Sequence, residues 1–185
     1  MPFGRQPAKP KAPLNEAGLY DYAVKALGRV MRTEAELRRL MLKRAEPGPR
    51  GEVVVAAVIA QLKERRYLDD QSFAETYARL RQENQKVGAR RVRQDLRQKG
   101  VNAALVDEAV EARYAGSSEE ALARQYLDHK RLQKPENEKD TARVMRRLVA
   151  AGFSTGVIYK ILRGWNVPDE SLAALDSLAD EPREE

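Results

Sequence analysis

The sequence predicts an all-α protein of three tandem three-helix repeats that form an elongated, curved array. The first observation behind this is an internal repeat with a period of about fifty residues. Arg91-Val92-Arg93-Gln94-Asp95-Leu96-Arg97-Gln98-Lys99-Gly100-Val101-Asn102 aligns without a gap on Arg143-Val144-Met145-Arg146-Arg147-Leu148-Val149-Ala150-Ala151-Gly152-Phe153-Ser154. The second is that the shared residues are helix punctuation. Gly100 and Gly152 are placed to stop a helix in the left-handed conformation, Val101 and Phe153 to pack back across the stop, and Asn102 and Ser154 to cap the next helix. The third is a weaker copy near the N-terminus, where Leu37 and Met41 fall at the places of Val92 and Leu96, and Tyr22 at that of Tyr77. A period of this length marks stacked supersecondary units, none of which can bury its apolar face alone.

Residues 1–13, with Pro2, Pro7, Pro10, Pro13, Arg5, Lys9 and Lys11, read as a disordered basic arm. Repeat one is placed at 14–68. A helix is expected over about 15–29 and another over 33–44, the latter opened by Thr33-Glu34-Ala35-Glu36, a capping box in which hydroxyl and carboxylate satisfy each other's amide positions. A loop at 46–51 follows, rich in Pro and Gly, in place of the tight glycine stop. Val53, Val54, Val55, Val58, Ile59 and Leu62 have the β-propensity of a strand. Their apolar run nevertheless continues through Ala56, Ala57 and Ala60 into Gln61-Leu62-Lys63-Glu64-Arg65 without a turn signal, so a helix is expected.

Repeat two, 69–115, opens with Asp69 as N-cap and helices over about 70–84, 89–99 and 103–114. Phe73, Tyr77 and Leu80 are expected on the inward stripe of its first helix. Repeat three, 116–166, opens with the capping signature Ser117-Ser118-Glu119-Glu120, with Leu122, Tyr126 and Leu127 inward, and helices over about 118–132, 141–151 and 155–163. The recurrence of Tyr22, Tyr77 and Tyr126 marks them as core. Residues 167–185 form an acidic tail.

Composition narrows the function. The chain has 185 residues, 42% hydrophobic and 34% charged, more charge than one compact domain carries. There is no cysteine, which excludes disulfides and thiolate metal sites. The first residues lack the apolar stretch of a signal peptide and no run reaches transmembrane length, so a soluble cytoplasmic protein is expected. Net charge is +6, yet Asp169, Glu170, Asp176, Asp180, Glu181, Glu184 and Glu185 stand against only Arg183 at the end of the chain. The body is therefore more basic than the total implies and suits an anionic partner such as nucleic acid, with an acidic tail that competes for the same surface.

The cations fall in rows. Ala89, Val92 and Leu96 share an inward stripe, which sets Arg90, Arg93 and Arg97 in a neighbouring row with about 5 Å of rise per turn, the scale of successive phosphates or acidic side chains. Arg79, Arg81 and Lys86 precede this row, Arg91 lies within it and Lys99 ends it. Arg143, Arg146 and Arg147 form a comparable row in repeat three, joined by Lys160 and Arg163; Arg38, Arg39, Lys43 and Arg44 repeat the theme in repeat one. These cations are the candidate partner-binding residues, against the plainer reading of a solvated face whose arginines relieve helix dipoles. Asp69 and Asp70, with Glu75 nearby, are assigned to helix capping rather than to a metal or acid-base pair. His129 is placed on an exposed face, and Trp165 at the closing end of the core. No phosphate-binding glycine loop, nucleophile–base pair or metal cluster is evident, so neither an enzyme nor a cofactor is expected.

The stretch Tyr67-Leu68-Asp69-Asp70-Gln71-Ser72-Phe73-Ala74, then Arg79, then Gly88-Ala89-Arg90-Arg91-Val92-Arg93-Gln94-Asp95-Leu96-Arg97-Gln98-Lys99-Gly100-Val101, resembles the signature of the RecX family, regulators of the bacterial recombinase RecA. The resemblance is strongest in the middle repeat and extends over roughly 19–164, with Leu148, Gly152 and Phe153 kept in the third copy. It implies tandem three-helix repeats that lodge in the groove of the RecA filament on single-stranded DNA, suppress ATP hydrolysis and strand exchange, and favour disassembly. Tyr67, Leu68, Asp69, Asp70, Phe73, Leu96, Gly100, Leu148 and Gly152 are the signature positions. The departures are the insertion at 47–51 and both chain ends. A monomer acting on RecA and single-stranded DNA, with duplex DNA as a further partner, is the expectation; the alternative from composition is a sequence-nonspecific DNA-binding or transcription-regulating helical protein.

An array of this kind should scatter as an extended particle. Small-angle scattering is expected to give a radius of gyration well above the ~16 Å of a compact chain of this length, and a value near that figure would refute the elongated reading.

Overall fold

The computed structural model describes residues 12–168, so most of the proline-rich arm and the tail from residue 169 lie outside the described residues. Among the described residues the chain is helical with no strand: α1 (Glu16–Leu27), α2 (Glu34–Leu42), α3 (Pro49–Glu64), α4 (Asp70–Gln85), α5 (Ala89–Gln98), α6 (Ala103–Tyr114), α7 (Glu119–His129), α8 (Glu138–Ala150) and α9 (Thr155–Gly164). This is the expected succession of three-helix repeats.

Caps explain most of the helix starts. The Asn15 carboxamide accepts the Gly18 N–H at 2.9 Å, and Thr33 and Glu36 form the expected capping box at 3.1 and 3.4 Å. Asp69 accepts the Ser72 N–H, Asn102 that of Ala104 and Ser118 that of Ala121. Two helix starts and one cap differ from expectation, and α7 ends at His129 rather than near 132. Pro49 is the first residue of α3, where its missing N–H costs nothing, so the loop after α2 is shorter than expected. α8 begins near 138 rather than 141, because Asn137 caps it through the Asp140 N–H at 2.9 Å and leaves Thr141 buried within the helix. Ser154 sits at the cap position of α9 without capping it: its N–H and hydroxyl donate to the Glu119 carboxylate at 2.7 and 2.8 Å.

The chain divides into two compact units. One runs to Phe73 and takes in Lys99–Val101; the other holds Ala74–Gln98 and continues from Asn102. In the first unit α1, α2 and α3 pack together around Leu19, Ala23, Leu37, Met41, Val55, Val58, Ile59 and Leu62. The buried residues of α3 recur at helical spacing while Val53 is 68% exposed, so tertiary burial overrides the β-propensity of the valines. Tyr22 lies at the edge of this core rather than in it. Lys99–Val101 seat on the start of α2. Thr33 Oγ1 donates to the Lys99 carbonyl at 2.7 Å, and Gly100, at φ 83°, approaches so closely that an added Cβ would lie 2.4 Å from Ala35 Cβ.

The second unit repeats that joint with other residues. The Gly88 N–H donates to the Ala151 carbonyl at 2.8 Å. A Cβ on Gly88 would meet the Gly152 carbonyl oxygen at 2.4 Å, and one on Gly152, at φ 87°, would meet the Arg91 nitrogen at 2.3 Å. Tyr114 holds the approach to this joint by donating to the Val87 carbonyl at 2.9 Å, and its burial pushes the phenol up to about 12. α5 packs on α6, and α9 on both α7 and α8. Phe153 is buried edge-on to Tyr126 with ring centroids 5.7 Å apart.

The inward face of α4 departs from expectation. Leu80 is 42% exposed and Tyr77 half-buried, while Ala74, Ala78 and Gln82 point inward. Small side chains permit close approach, and the Gln82 carboxamide is satisfied by the Ser117 hydroxyl at 3.2 Å. Tyr77 instead reaches a buried ionic cluster. Its hydroxyl donates to Asp95 at 3.1 Å, and the same carboxylate, 8% exposed, pairs with Arg91 at 2.9 Å and with Arg81. Burial raises the Tyr77 phenol, and the Arg81 guanidinium, 5.6 Å from the ring centroid, works against that rise.

Gly100→Ala and Gly152→Ala should each cost about 2–4 kcal/mol in urea unfolding, because a left-handed backbone and a steric clash add. Gly156 has nothing within 4 Å of an added Cβ and lies in α9, so Gly156→Ala should be neutral or stabilising by up to ~1 kcal/mol. Equal effects at all three positions would refute the joint. Asp95→Ala leaves the mostly buried Arg81 without its carboxylate and should cost about 3–5 kcal/mol, measured the same way.

Candidate functional site

The rows of cations rest on helices whose apolar sides are fixed by the core. On α5, Val92 and Leu96 are fully buried, which turns Arg90, Arg93 and Arg97 away from the interior. The structure adds a carboxylate that the row was not expected to meet. Asp107 of α6 pairs with Arg93 at 3.2 Å and with Arg97 at 3.4 Å. Arg90 is exposed and makes no ion pair among the described residues. With Arg93, Gln94, Arg97 and Gln98 it lines a shallow, open concavity of about 520 Å³. The guanidinium and carboxamide groups there supply several hydrogen-bond donors for phosphate or carboxylate oxygens, with Asp107 as a built-in competitor.

The other candidates of the middle repeat are more heavily engaged. Arg81 and Arg91 belong to the Asp95 cluster and serve the interior. Arg79 pairs with Glu83 at 3.3 Å, and Glu83 also holds Arg113 at 2.8 Å. Lys86 ends α4 in the left-handed region at φ 56° and is half-buried. Lys99 pairs with Glu36 at 2.8 Å and lies 5.8 Å from the Phe73 ring centroid, so it fastens the first joint.

In repeat three, Arg146 and Arg147 are exposed on α8 with no ion pair among the described residues, and Arg143 reaches back to Asp140 at 3.0 Å. Lys160 pairs with Glu120 at 2.7 Å and Arg163 is exposed near the end of α9. Hydrogen bonds from Lys160 and then Arg124 hold the Glu120 carboxyl below its usual range. In repeats two and three the cations that remain open to a partner are thus fewer than the sequence rows, with Arg90 on α5 and Arg146 and Arg147 on α8; in repeat one Arg39 and Lys43 are also exposed without an ion pair among the described residues.

Most signature positions are structural. Leu68, Phe73, Leu96 and Leu148 are buried, Asp69 caps α4, and Gly100 and Gly152 make the joints. Asp70 has a second role that spacing did not reveal. Its carboxylate accepts the Glu34 N–H at 2.8 Å at the start of α2, and burial pushes the carboxyl above its usual range. Tyr67 is the exception at 57% exposed. Asp107 was missed, although a signal existed: in the α5–α6 hairpin it lies as far after Gly100 as Arg93 lies before it. Among the described residues no group of His, Asp or Glu side chains could hold a metal ion, and no helix is long and apolar enough to cross a membrane.

Residues 69–110 match the family model for the second three-helix domain of RecX. The chain is 35% identical over 121 residues to the regulatory protein RecX of Mycolicibacterium vanbaalenii, covering 64% of each chain. It is 31% identical over 171 residues to that of Mycolicibacterium smegmatis, covering 88% of this chain and 86% of the relative. Against four relatives it spans only 52% to 64% of their length. The crystal structure of RecX from Lactobacillus salivarius superposes with a TM-score of 0.60 at 18% identity, covering 82% of this chain and 96% of that one, a likeness of fold. With 31% identity carried across most of both M. smegmatis and present sequences, on a shared helical architecture, the chain belongs to the RecX family.

Proposed function

We propose that this chain is a cytoplasmic, non-enzymatic negative modulator of a RecA-class recombinase. It binds the recombinase filament on single-stranded DNA through basic helix faces, suppresses ATP hydrolysis and strand exchange, and so regulates recombination and DNA repair. The observation that carries this reading is the identity to a regulatory protein RecX across most of the chain. The surface chemistry is consistent with it. Arg90 on α5 and Arg146 and Arg147 on α8 offer guanidinium groups, the side chain suited to bidentate recognition of carboxylate and phosphate, whereas Arg81, Arg91 and Lys99 are engaged within the fold.

The geometry also dictates how to test it. Arg93→Glu or Arg97→Glu would set like charges against Asp107 and disturb the α5–α6 pair, so the informative variant is Arg90→Glu with Arg146→Glu and Arg147→Glu. Wild-type protein should suppress ATP hydrolysis and strand exchange by RecA on single-stranded DNA. The triple variant should need about tenfold or more protein for the same effect, with unchanged helicity by circular dichroism. If these arginines contact phosphate, each lost contact should lower the salt slope of binding by about one; contacts to recombinase carboxylates should instead be restored by charge reversal on the partner. Tight binding to naked duplex by a wild-type protein that leaves RecA untouched would replace this reading with that of a nonspecific DNA-binding protein.

A further inference from the structure

Several cations of α4 to α7 come with a carboxylate built in beside them. Arg79 has Glu83, Arg93 and Arg97 share Asp107, Arg113 has Glu83 and Arg124 has Glu120. Toward the end of the described chain the local carboxylates run out. From residue 141 to 168 there is no Asp or Glu, while Arg143, Arg146, Arg147, Lys160 and Arg163 fall in that stretch. Burial of Val144, Met145 and Leu148 turns the three α8 arginines outward, and Arg146 and Arg147 make no ion pair among the described residues. Lys160 is held by Glu120 yet keeps 70% of its side chain exposed. The missing carboxylates follow at once in the sequence: residues 169–185 carry seven, against Arg183 alone.

We propose that the acidic segment 169–185 docks on the basic outer surface of α8, with Arg146 and Arg147 at its centre, and competes there with the anionic partner. Reach permits it. The described chain ends at Pro168, close after Arg163 on α9. At random-coil dimensions 17 residues span about 20–25 Å; α9 is about 15 Å long, and packed helices such as α8 and α9 lie about 8–10 Å apart. Each exposed pair contributes little by itself. Tethering supplies the rest, since a short linker holds the acidic groups at millimolar effective concentration. The contact is therefore populated at low salt and displaceable by a phosphate-rich or carboxylate-rich competitor. The competitive role rests on the recombinase reading above; the docking itself does not.

The absence of cysteine makes the test clean. Ser177→Cys in the full chain, labelled with a nitroxide, should broaden the backbone amide signals of residues 143–147 at low ionic strength. The broadening should vanish at 1 M salt, where the Debye length is about 3 Å, and should be absent when the tail's Asp and Glu are replaced by Asn and Gln. Unbroadened α8 amides at low salt would overturn the docking, as would broadening that survives 1 M salt or tail neutralisation, which would assign the contact to Leu172, Leu175 and Leu178. Truncation after Val167 should raise affinity for a fluorescent oligothymidylate severalfold at low salt and leave it unchanged at 1 M; no gain at low salt would overturn the competition. Docking by a chain that has no effect on RecA would uphold this proposal and remove the recombinase reading.

Discussion

The joint between the C-terminal end of one helix and the N-terminal turn of another is the constraint on which the rest of this structure depends. Helix ends leave carbonyls and N–H groups unpaired, with partial negative and positive charge respectively. In the first unit the Lys99 carbonyl takes the Thr33 hydroxyl hydrogen while that oxygen accepts the Glu36 N–H, so one side chain relays between the two helix ends. In the second unit the Ala151 carbonyl takes the Gly88 N–H directly. Both joints require a left-handed residue with no side chain, because the turn needs positive φ and the facing backbone or alanine occupies the space of a Cβ. Glycine at 100 and 152 therefore answers two demands at once, and the formal charges of Lys99 and Glu36 reinforce the first joint.

Charge compensation decides what the surface has left to offer. A buried carboxylate at Asp95 is tolerable only because Arg81, Arg91 and Tyr77 surround it, and this withdraws two arginines from any partner. Asp107 and Glu83 each hold two further guanidinium groups on the surface, where pairing is weak and exchangeable. The arginines thus form a graded series, from committed to the fold, through loosely held, to open. Only the open end of that series can bind an anion without first breaking an internal pair.

Elements and glycine stops were legible in the sequence for a specific reason: helix caps and left-handed stops act locally, and a repeated copy exposes them. The capping box at Thr33, the caps at Asp69, Asn102 and Ser118 and the left-handed Gly100 and Gly152 all follow from residues a few positions apart. Much of the rest turns on a distant partner, although the Asn137 cap of α8 was a local signal. Ser154 gives up its cap to Glu119, Asp70 takes an N–H from another helix, and Leu80 yields the interior of α4 to two alanines and a glutamine. The candidate surface was legible as a set of cations but not as a hierarchy, since pairing with Asp95 or Asp107 depends on which helices face each other.

The matched family domain spans 69–110 and holds Asp69, Asp70, Gly88, Asp95 and Gly100. Each of these has a role within the fold: a cap, a neighbouring helix start, two joints and the ionic cluster. A pattern dominated by such residues transmits architecture with more force than it transmits partner chemistry, because a substitution at any of them strains the backbone or strands a charge. Arg90, Arg146 and Arg147 carry no comparable internal burden, so their side chains are free to follow the partner. On the proposed reading, fold and recognition reside on opposite sides of the same helices. On α5 and α8 the apolar stripe and glycine ends set where the outer face points, and so which arginines are presented to the proposed anionic partner.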